Sequence, residues 1–222
     1  MKTSMFSRRL FTVVGCLLVL GVSARAADFV RYKAKPVGSS VRIDGAANIH
    51  DWEMEGSLIS GYLDVPAGVT LDSSLAAIAG ASDGKVMAQA EVAIPVTSIL
   101  NTKYSGMSEV MQQAMNAADH PRIQYHLTEM TLKQPHAAAT PFQFDTKGEL
   151  TVNGVTNKVS FPVSIENADK GKLKISATGI PIKMPDYGVK PPVKAGIFIT
   201  EPDVKISFTW IVGLGAKSTE GK

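Results

Sequence analysis

The chain has 222 residues, 45% of them apolar and 19% charged, a balance that excludes a disordered or collagen-like polymer and suits one domain. A single cysteine, Cys16, excludes an intrachain disulfide and any multi-cysteine zinc or iron–sulfur site. The formal charge of +3 is unevenly placed: residues 1–26 hold Lys2, Arg8, Arg9 and Arg25 and no acid, and beyond them 19 basic residues face 20 acidic ones, so the rest of the chain exerts no net pull on nucleic acid or an anionic membrane surface.

Residues 1–26 have the three parts of an export signal. A basic part ends at Arg9, an apolar run extends from Leu10 to Val22, and Ala24-Arg25-Ala26 is a small-x-small cleavage pattern. Cleavage is expected after Ala26, leaving residues 27–222 as one exported domain, periplasmic or secreted. The apolar run is too short for a comfortable membrane span and no later stretch reaches spanning length, so no stable span is expected. Ser7-Arg8-Arg9-Leu10-Phe11 resembles the twin-arginine motif, but Thr12 and Val13 stand where Leu and Lys are expected. A twin-arginine and an unfolded-chain (Sec) route therefore both fit. Val13-Val14-Gly15-Cys16 resembles a lipoprotein box, yet the apolar run continues past the cysteine, which argues against lipidation.

Period-2 alternation dominates the rest and predicts about eight strands, near 40–48, 52–65, 84–95, 121–133, 141–153, 155–167, 171–183 and 202–213. Val86, Ala88, Ala90, Val92 and Ile94 alternate with Met87, Gln89, Glu91 and Ala93; Val204 to Val212 alternates with Lys205, Ser207 and Thr209. Asn153-Gly154 supplies the two positive-φ positions of a type I′ hairpin, and Pro162 marks an edge-like or bulged position in the strand that follows. One segment reads as helix: from Ser105 to Ala118, Met107, Val110, Met111, Ala114 and Met115 share a face, with Ser105 or Ser108 as its cap and Asp119-His120-Pro121 as its end. Residues 66–82 form a long connection of small residues. Such a strand set leaves a sandwich or a closed barrel. The small inward residues Ala88, Ala90, Ala177 and Gly179 leave room for a ligand and favour a barrel with a cavity.

Five patterns occur in order: Asn48-Ile49-His50-Asp51-Trp52, Ile94-Pro95-Val96-Thr97-Ser98-Ile99, His120-Pro121-Arg122-Ile123-Gln124-Tyr125, the hairpin Gly148-Glu149-Leu150-Thr151-Val152-Asn153-Gly154-Val155-Thr156, and Asp186-Tyr187-Gly188-Val189. Together, over about residues 40–213, they resemble the YceI-like family of periplasmic proteins. The resemblance implies an all-β fold, an eight-stranded antiparallel lipocalin-like barrel with one flanking α-helix. It also implies binding of a long isoprenoid or similar amphipathic lipid in the apolar interior. Two stretches depart from the family pattern. Ser105-Gly106-Met107-Ser108-Glu109 replaces an Arg-Asp-x-His-Leu stretch at the helix, and Met184-Pro185 replaces an arginine before the Asp-aromatic-Gly turn. The family's polar rim is therefore not carried over.

The candidate ligand-binding residues are the inward apolar ones: Trp52, Met54, Val86, Ala88, Ala90, Tyr125, Leu127, Phe161, Ile175, Phe208 and Trp210. Side-chain size alone allows either a lined tunnel or a filled core, and the Met-rich helix either flanks the mouth or simply packs on the sheet. His50, His120, His126 and His136 lie at no metal-ligand spacing, no Gly-x-Ser-x-Gly elbow or phosphate loop occurs, and no catalytic residue, metal or cofactor is expected other than a bound lipid. The expected function is an exported, non-enzymatic binding protein for an apolar or amphipathic small molecule. A structural or protein-interaction module of the envelope, with a filled barrel, is the alternative.

Overall fold

In the computed structural model, which describes residues 29–69, 83–101, 103, 104, 106–133, 141–194 and 196–215, nearly all of the described chain is extended. Its strands are β1 (Phe29–Ala34), β2 (Ser40–Ala47), β3 (Trp52–Gly56), β4 (Ser60–Pro66), β5 (Lys85–Val86), β6 (Gln89–Pro95), β7 (Arg122–Leu132), β8 (Phe142–Val152), β9 (Val155–Ala168), β10 (Lys172–Lys183), β11 (Val193–Lys194) and β12 (Phe198–Leu214), with one helix, α1 (Met107–Ala114). The expected signal at 1–26 with Cys16, most of the 66–82 connection, Ser105 and His136 lie outside the described residues.

Eight strands form a closed antiparallel circuit, β1-β4-β6-β7-β8-β9-β10-β12, and β12 returns to β1 through Tyr32↔Leu214 and Ala34↔Val212. This is the barrel that the family resemblance implies and the small inward residues favour, where alternation alone left a sandwich open as well. The 17-residue β12 keeps one edge on β10. Its other edge is divided: residues 212–214 pair with β1, whereas Thr200 to Thr209 pair with β2, which in turn carries β3. The outer edge of β3 is held by a bridge from Glu55 to Leu100, with N–H to carbonyl distances of 2.8 and 2.7 Å in the two directions. Closure of this kind removes the open edges that would otherwise recruit other strands.

Several details differ from the expected elements. The expected strand 84–95 is parted at 87–88 into β5 and β6, and among the described residues of the expected helix 105–118 only Met107–Ala114 is helical. Gly179, expected to face inward, is exposed in a bulge of β10. The closing strand β1 is absent from the expected set, because it is short, basic at Arg31 and Lys33, and exposed at every second residue. Residues 52–65 are two strands parted at 57–59, since β3 pairs with β2 whereas β4 pairs with β1 and β6. The α1 N-cap is Gly106 in a left-handed conformation with no side-chain cap; Ser108, expected as a possible cap, instead accepts the Asn101 N–H at 2.9 Å. At its other end, Asn116 (φ 49°) closes the helix in a Schellman motif, with Ala117 N–H bonded to the Gln112 carbonyl and Asn116 N–H to that of Gln113.

Elsewhere the local reading holds. Asn153 (φ 50°) and Gly154 (φ 74°) make the expected hairpin turn between β8 and β9. Pro162 lies just past the β9–β10 ladder, which stops at Ser164, so its missing N–H breaks no bond on that side. Beyond that point β9 and β10 separate. The gap is filled by the 3₁₀ turn Met184–Tyr187, anchored by Asn157 Nδ2 donating to the Asp186 carbonyl (2.8 Å) and Asn153 Nδ2 donating to that of Tyr187 (3.2 Å).

One barrel end is solid. Leu132, Phe142, Phe144, Leu173 and Val212 are buried there, Phe144 and Val212 completely. Phe144→Ala is expected to lower stability by about 3–5 kcal/mol, because a rigid barrel wall cannot collapse into the void. A urea denaturation series on the mature chain checks this; a loss below about 1 kcal/mol would show that this end is not close-packed.

Candidate functional site

The other half of the barrel, toward α1 and the β8–β9 hairpin, is hollow. A cavity of about 230 Å³ lies between the strands and the helix, far more than the roughly 10–15 Å³ that one water needs in such a measure. Its wall is built from the inward residues of β2, β3, β4, β6 to β10 and β12, from the 3₁₀ turn at Met184 and Tyr187, and from α1. No charged side chain lines it among the described residues, and its few polar side chains include Thr146 and Thr200. Such a wall repels ions and bare water and suits an apolar occupant.

Nine of the eleven expected residues line this one cavity: Trp52, Met54, Ala90, Tyr125, Leu127, Phe161, Ile175, Phe208 and Trp210. Val86 and Ala88 do not. They are buried inside the barrel but away from the cavity wall, Val86 opposite Met130 on β7. Alternation identified their inward direction and carries no information on which inward side chains border open space. Wall residues that the sequence reading left out include Met130, on the far side of a β7 bulge between Leu127 and Glu129, and Ile180 and Ile182, past a β10 bulge between Ala177 and Ile180. Each bulge shifts the inward phase by one residue, so strict period-2 counting loses them.

Two glycines seat the aromatic rings. A Cβ on Gly45 would fall inside the indole of its cross-strand neighbour Trp52. A Cβ on Gly148 would lie 2.5 Å from the ring carbons of Tyr125, so only glycine lets the phenol lie flat on β8. Tyr125 then packs at 5.4 Å and a 45° tilt against Phe161, which meets Phe208 edge-on at 6.3 Å.

The helix closes the hollow end with Met107, Val110, Met111, Ala114 and Met115, the face marked by its spacing in the sequence. These residues thus do what the alternative of flanking the cavity requires, and three flexible thioethers adapt to variable apolar shapes. The lead-in to α1 is tied to β3 through Asn101. Its Nδ2 donates to the Glu53 carbonyl at 2.6 Å, and its Oδ1 accepts the N–H groups of Lys103 and Tyr104 at 2.9 and 2.6 Å. Lys103, and then Arg42, hold the Glu53 carboxyl below the usual carboxylate range, which adds an ionic clasp between the same two segments.

The described histidines, His50, His120 and His126, stand outside this cavity. His50 stacks on Tyr104 at 4.6 Å and packs against Phe198, His120 lies over the Asn153-Gly154 turn, and His126 pairs with Glu91 at 2.6 Å on the outer face. No three metal-ligating side chains gather among the described residues, and no helix among them is long and apolar enough to cross a membrane.

A family model described as the YceI-like domain matches residues 32–211. Among solved structures the chain is similar to Burkholderia cenocepacia BcnA, at 14% identity and a TM-score of 0.59, covering 80% of this chain and 98% of that one. It is equally similar to a polyisoprenoid binding domain from Saccharophagus degradans implicated in plant cell wall breakdown, at 14% identity and a TM-score of 0.58, covering 84% and 99%. At that identity the likeness concerns the fold. Comparison with curated proteins returns no match.

Burial pushes the Tyr125 phenol above its ordinary value, with Thr146 opposing, and burial followed by the Asp186 charge does the same to Tyr187. A raised folded-state value favours the neutral phenol in the barrel. The corresponding stability is complete below about pH 10, where the unfolded chain also keeps its protons, and is lost as pH climbs through the folded-state value. Melting temperatures from about pH 9 upward should therefore fall, and Tyr125→Phe should fall less steeply than the parent, keeping the Tyr187 part. Parallel curves for the two proteins would remove Tyr125 from the alkaline transition.

Proposed function

The chain belongs to the YceI-like family, and from that premise we propose that it is a non-enzymatic binding protein which holds a long-chain isoprenoid, or another amphipathic lipid, in the hollow half of its barrel. The observation that carries this reading is the uncharged cavity of about 230 Å³ beneath a methionine-faced helix. Each methylene-sized group moved from water into such a wall gains roughly 0.8 kcal/mol, so a dozen of them offset the cost of immobilising a flexible chain without any ionic contact. The polyisoprenoid-binding description of the Saccharophagus degradans domain, which shares this fold, points the same way. The departures at Ser105-Gly106-Met107-Ser108-Glu109 and Met184-Pro185 leave the mouth without the family's arginine-bearing stretches. Retention through the tail, rather than through an anionic headgroup, follows from that.

We further propose that the protein works outside the cytoplasm, periplasmic or secreted, after removal of residues 1–26. The support is the basic, apolar and Ala24-Arg25-Ala26 sequence of that segment. Amino-terminal sequencing of the protein from envelope fractions should begin at Ala27, and a chain that starts at Met1 or carries lipid on Cys16 would overturn this.

Ala90 tests the cavity itself. It lies on the wall and is buried, on β6 opposite Leu63. Ala90→Trp places an indole where the tail must pass. Native mass spectrometry of mature protein purified without detergent should show a lipid adduct that organic extraction removes, and the variant should fold but lack the adduct. If the parent never carries a lipid and the variant loses roughly 1–3 kcal/mol by overpacking, the carrier reading fails and a filled envelope module takes its place.

A further inference from the structure

Six thioethers converge on the cavity. Residues 27–222 contain seven methionines, and six of them, Met54, Met107, Met111, Met115, Met130 and Met184, line the hollow half. They come from β3, from α1 and its end, from β7 and from the 3₁₀ turn, so the fold rather than one stretch of sequence brings them together. The seventh, Met87, is 73% exposed and no part of that wall. Leucine is close to methionine in volume and apolarity, and it is distributed differently. Only Leu63, Leu127 and Leu150 of the eight described leucines line the cavity. Apolar burial treats the two residue types alike, so burial alone does not account for a wall this rich in sulfur.

A thioether does one thing that a leucine side chain does not: it accepts an oxygen atom. The sulfur lone pair attacks one oxygen of hydrogen peroxide, and the O–O bond breaks as the S–O bond forms. The proton on the transferred oxygen passes to the departing hydroxide, which leaves as water. Sulfur is oxidised by two electrons and the peroxide is reduced by two. The sulfoxide formed is polar, and in a wall without a charged side chain among the described residues it weakens the hold on an apolar molecule. Exposure sets the order of attack. Met107 and Met184 are half-buried, whereas Met111, Met115, Met130 and Met54 are buried, the last completely. The two exposed sulfurs sit on the two elements that cover the hollow half, α1 and the 3₁₀ turn. On the lipid-binding reading above, we propose that Met107 and Met184 form an oxidation site, at which peroxide oxygen makes the cavity wall polar and discharges its apolar occupant.

The test follows oxidation and retention together. Mature protein stripped by solvent is loaded with the branched hydrocarbon pristane, treated with hydrogen peroxide, separated from free probe and extracted for gas chromatography–mass spectrometry. Peptide mass mapping of the same samples locates each added oxygen. Met87 serves as the internal reference for an exposed methionine outside the cavity. Met107 and Met184 should be modified next, ahead of the four buried methionines, and pristane retention should then fall roughly tenfold with the β-sheet circular dichroism unchanged. Methionine sulfoxide reductases should restore retention in the treated parent, a readout that needs no variant. The double variant Met107→Leu with Met184→Leu, which keeps the volume and removes the two sulfurs, should hold pristane equally before and after treatment. Oxygen confined to Met87, full modification of Met107 and Met184 with retention unchanged, or the same loss in the double variant as in the parent would each overturn the inference while leaving a lipid carrier in place. An untreated parent that retains no pristane would overturn the carrier reading and the discharge with it.

Discussion

The barrel depends on how β12 divides its hydrogen bonds. One edge of this long strand belongs to β10; the other is shared between β1 near its end and β2 over the rest. Backbone groups in a sheet must be paired, and a strand has only two edges, so this division obliges the circuit to close in different ways at its two ends. Toward Leu214 it closes through the short β1 on β4. Toward Phe198 it runs out through β2 and β3 to the bridge with Leu100. The solid end and the hollow end are consequences of two closures within one sheet.

The same division places the helix. β3 exists at the hollow end only, and the segment after Leu100 is fastened to it by Asn101 and by the Glu53 ion pairs. That attachment sets α1 across the end of the barrel, where its methionine face is the cheapest available cover for apolar surface. On the opposite side, separation of β9 from β10 past Ser164 leaves a gap that Tyr187 fills, buried at 3% exposure and held by asparagines of the neighbouring hairpin and strand.

Among the described residues, His50 stacks on Tyr104, His126 pairs with Glu91 on the outer face, and no charged side chain lines the cavity. A concave, uncharged, apolar wall of this kind suits an apolar occupant.

Much of this was legible in the residues alone. Alternation located most strands of the circuit, Asn153-Gly154 fixed the central hairpin, and helical spacing picked out the five residues of α1 that cover the cavity. Those signals are local, set by side-chain direction every two or 3.6 residues, so a single sequence carries them. Tertiary structure alone decided which inward residues face open space. Val86 and Ala88 are buried as Ala90 is, yet only Ala90 lines the cavity, even though Val86 stands opposite the wall residue Met130, because which inward side chains border open space is set by packing among strands distant in the chain. It also decided the β1 closure and the inward places of Met130, Ile180 and Ile182, since bulges reset the alternation at points that a local pattern does not mark.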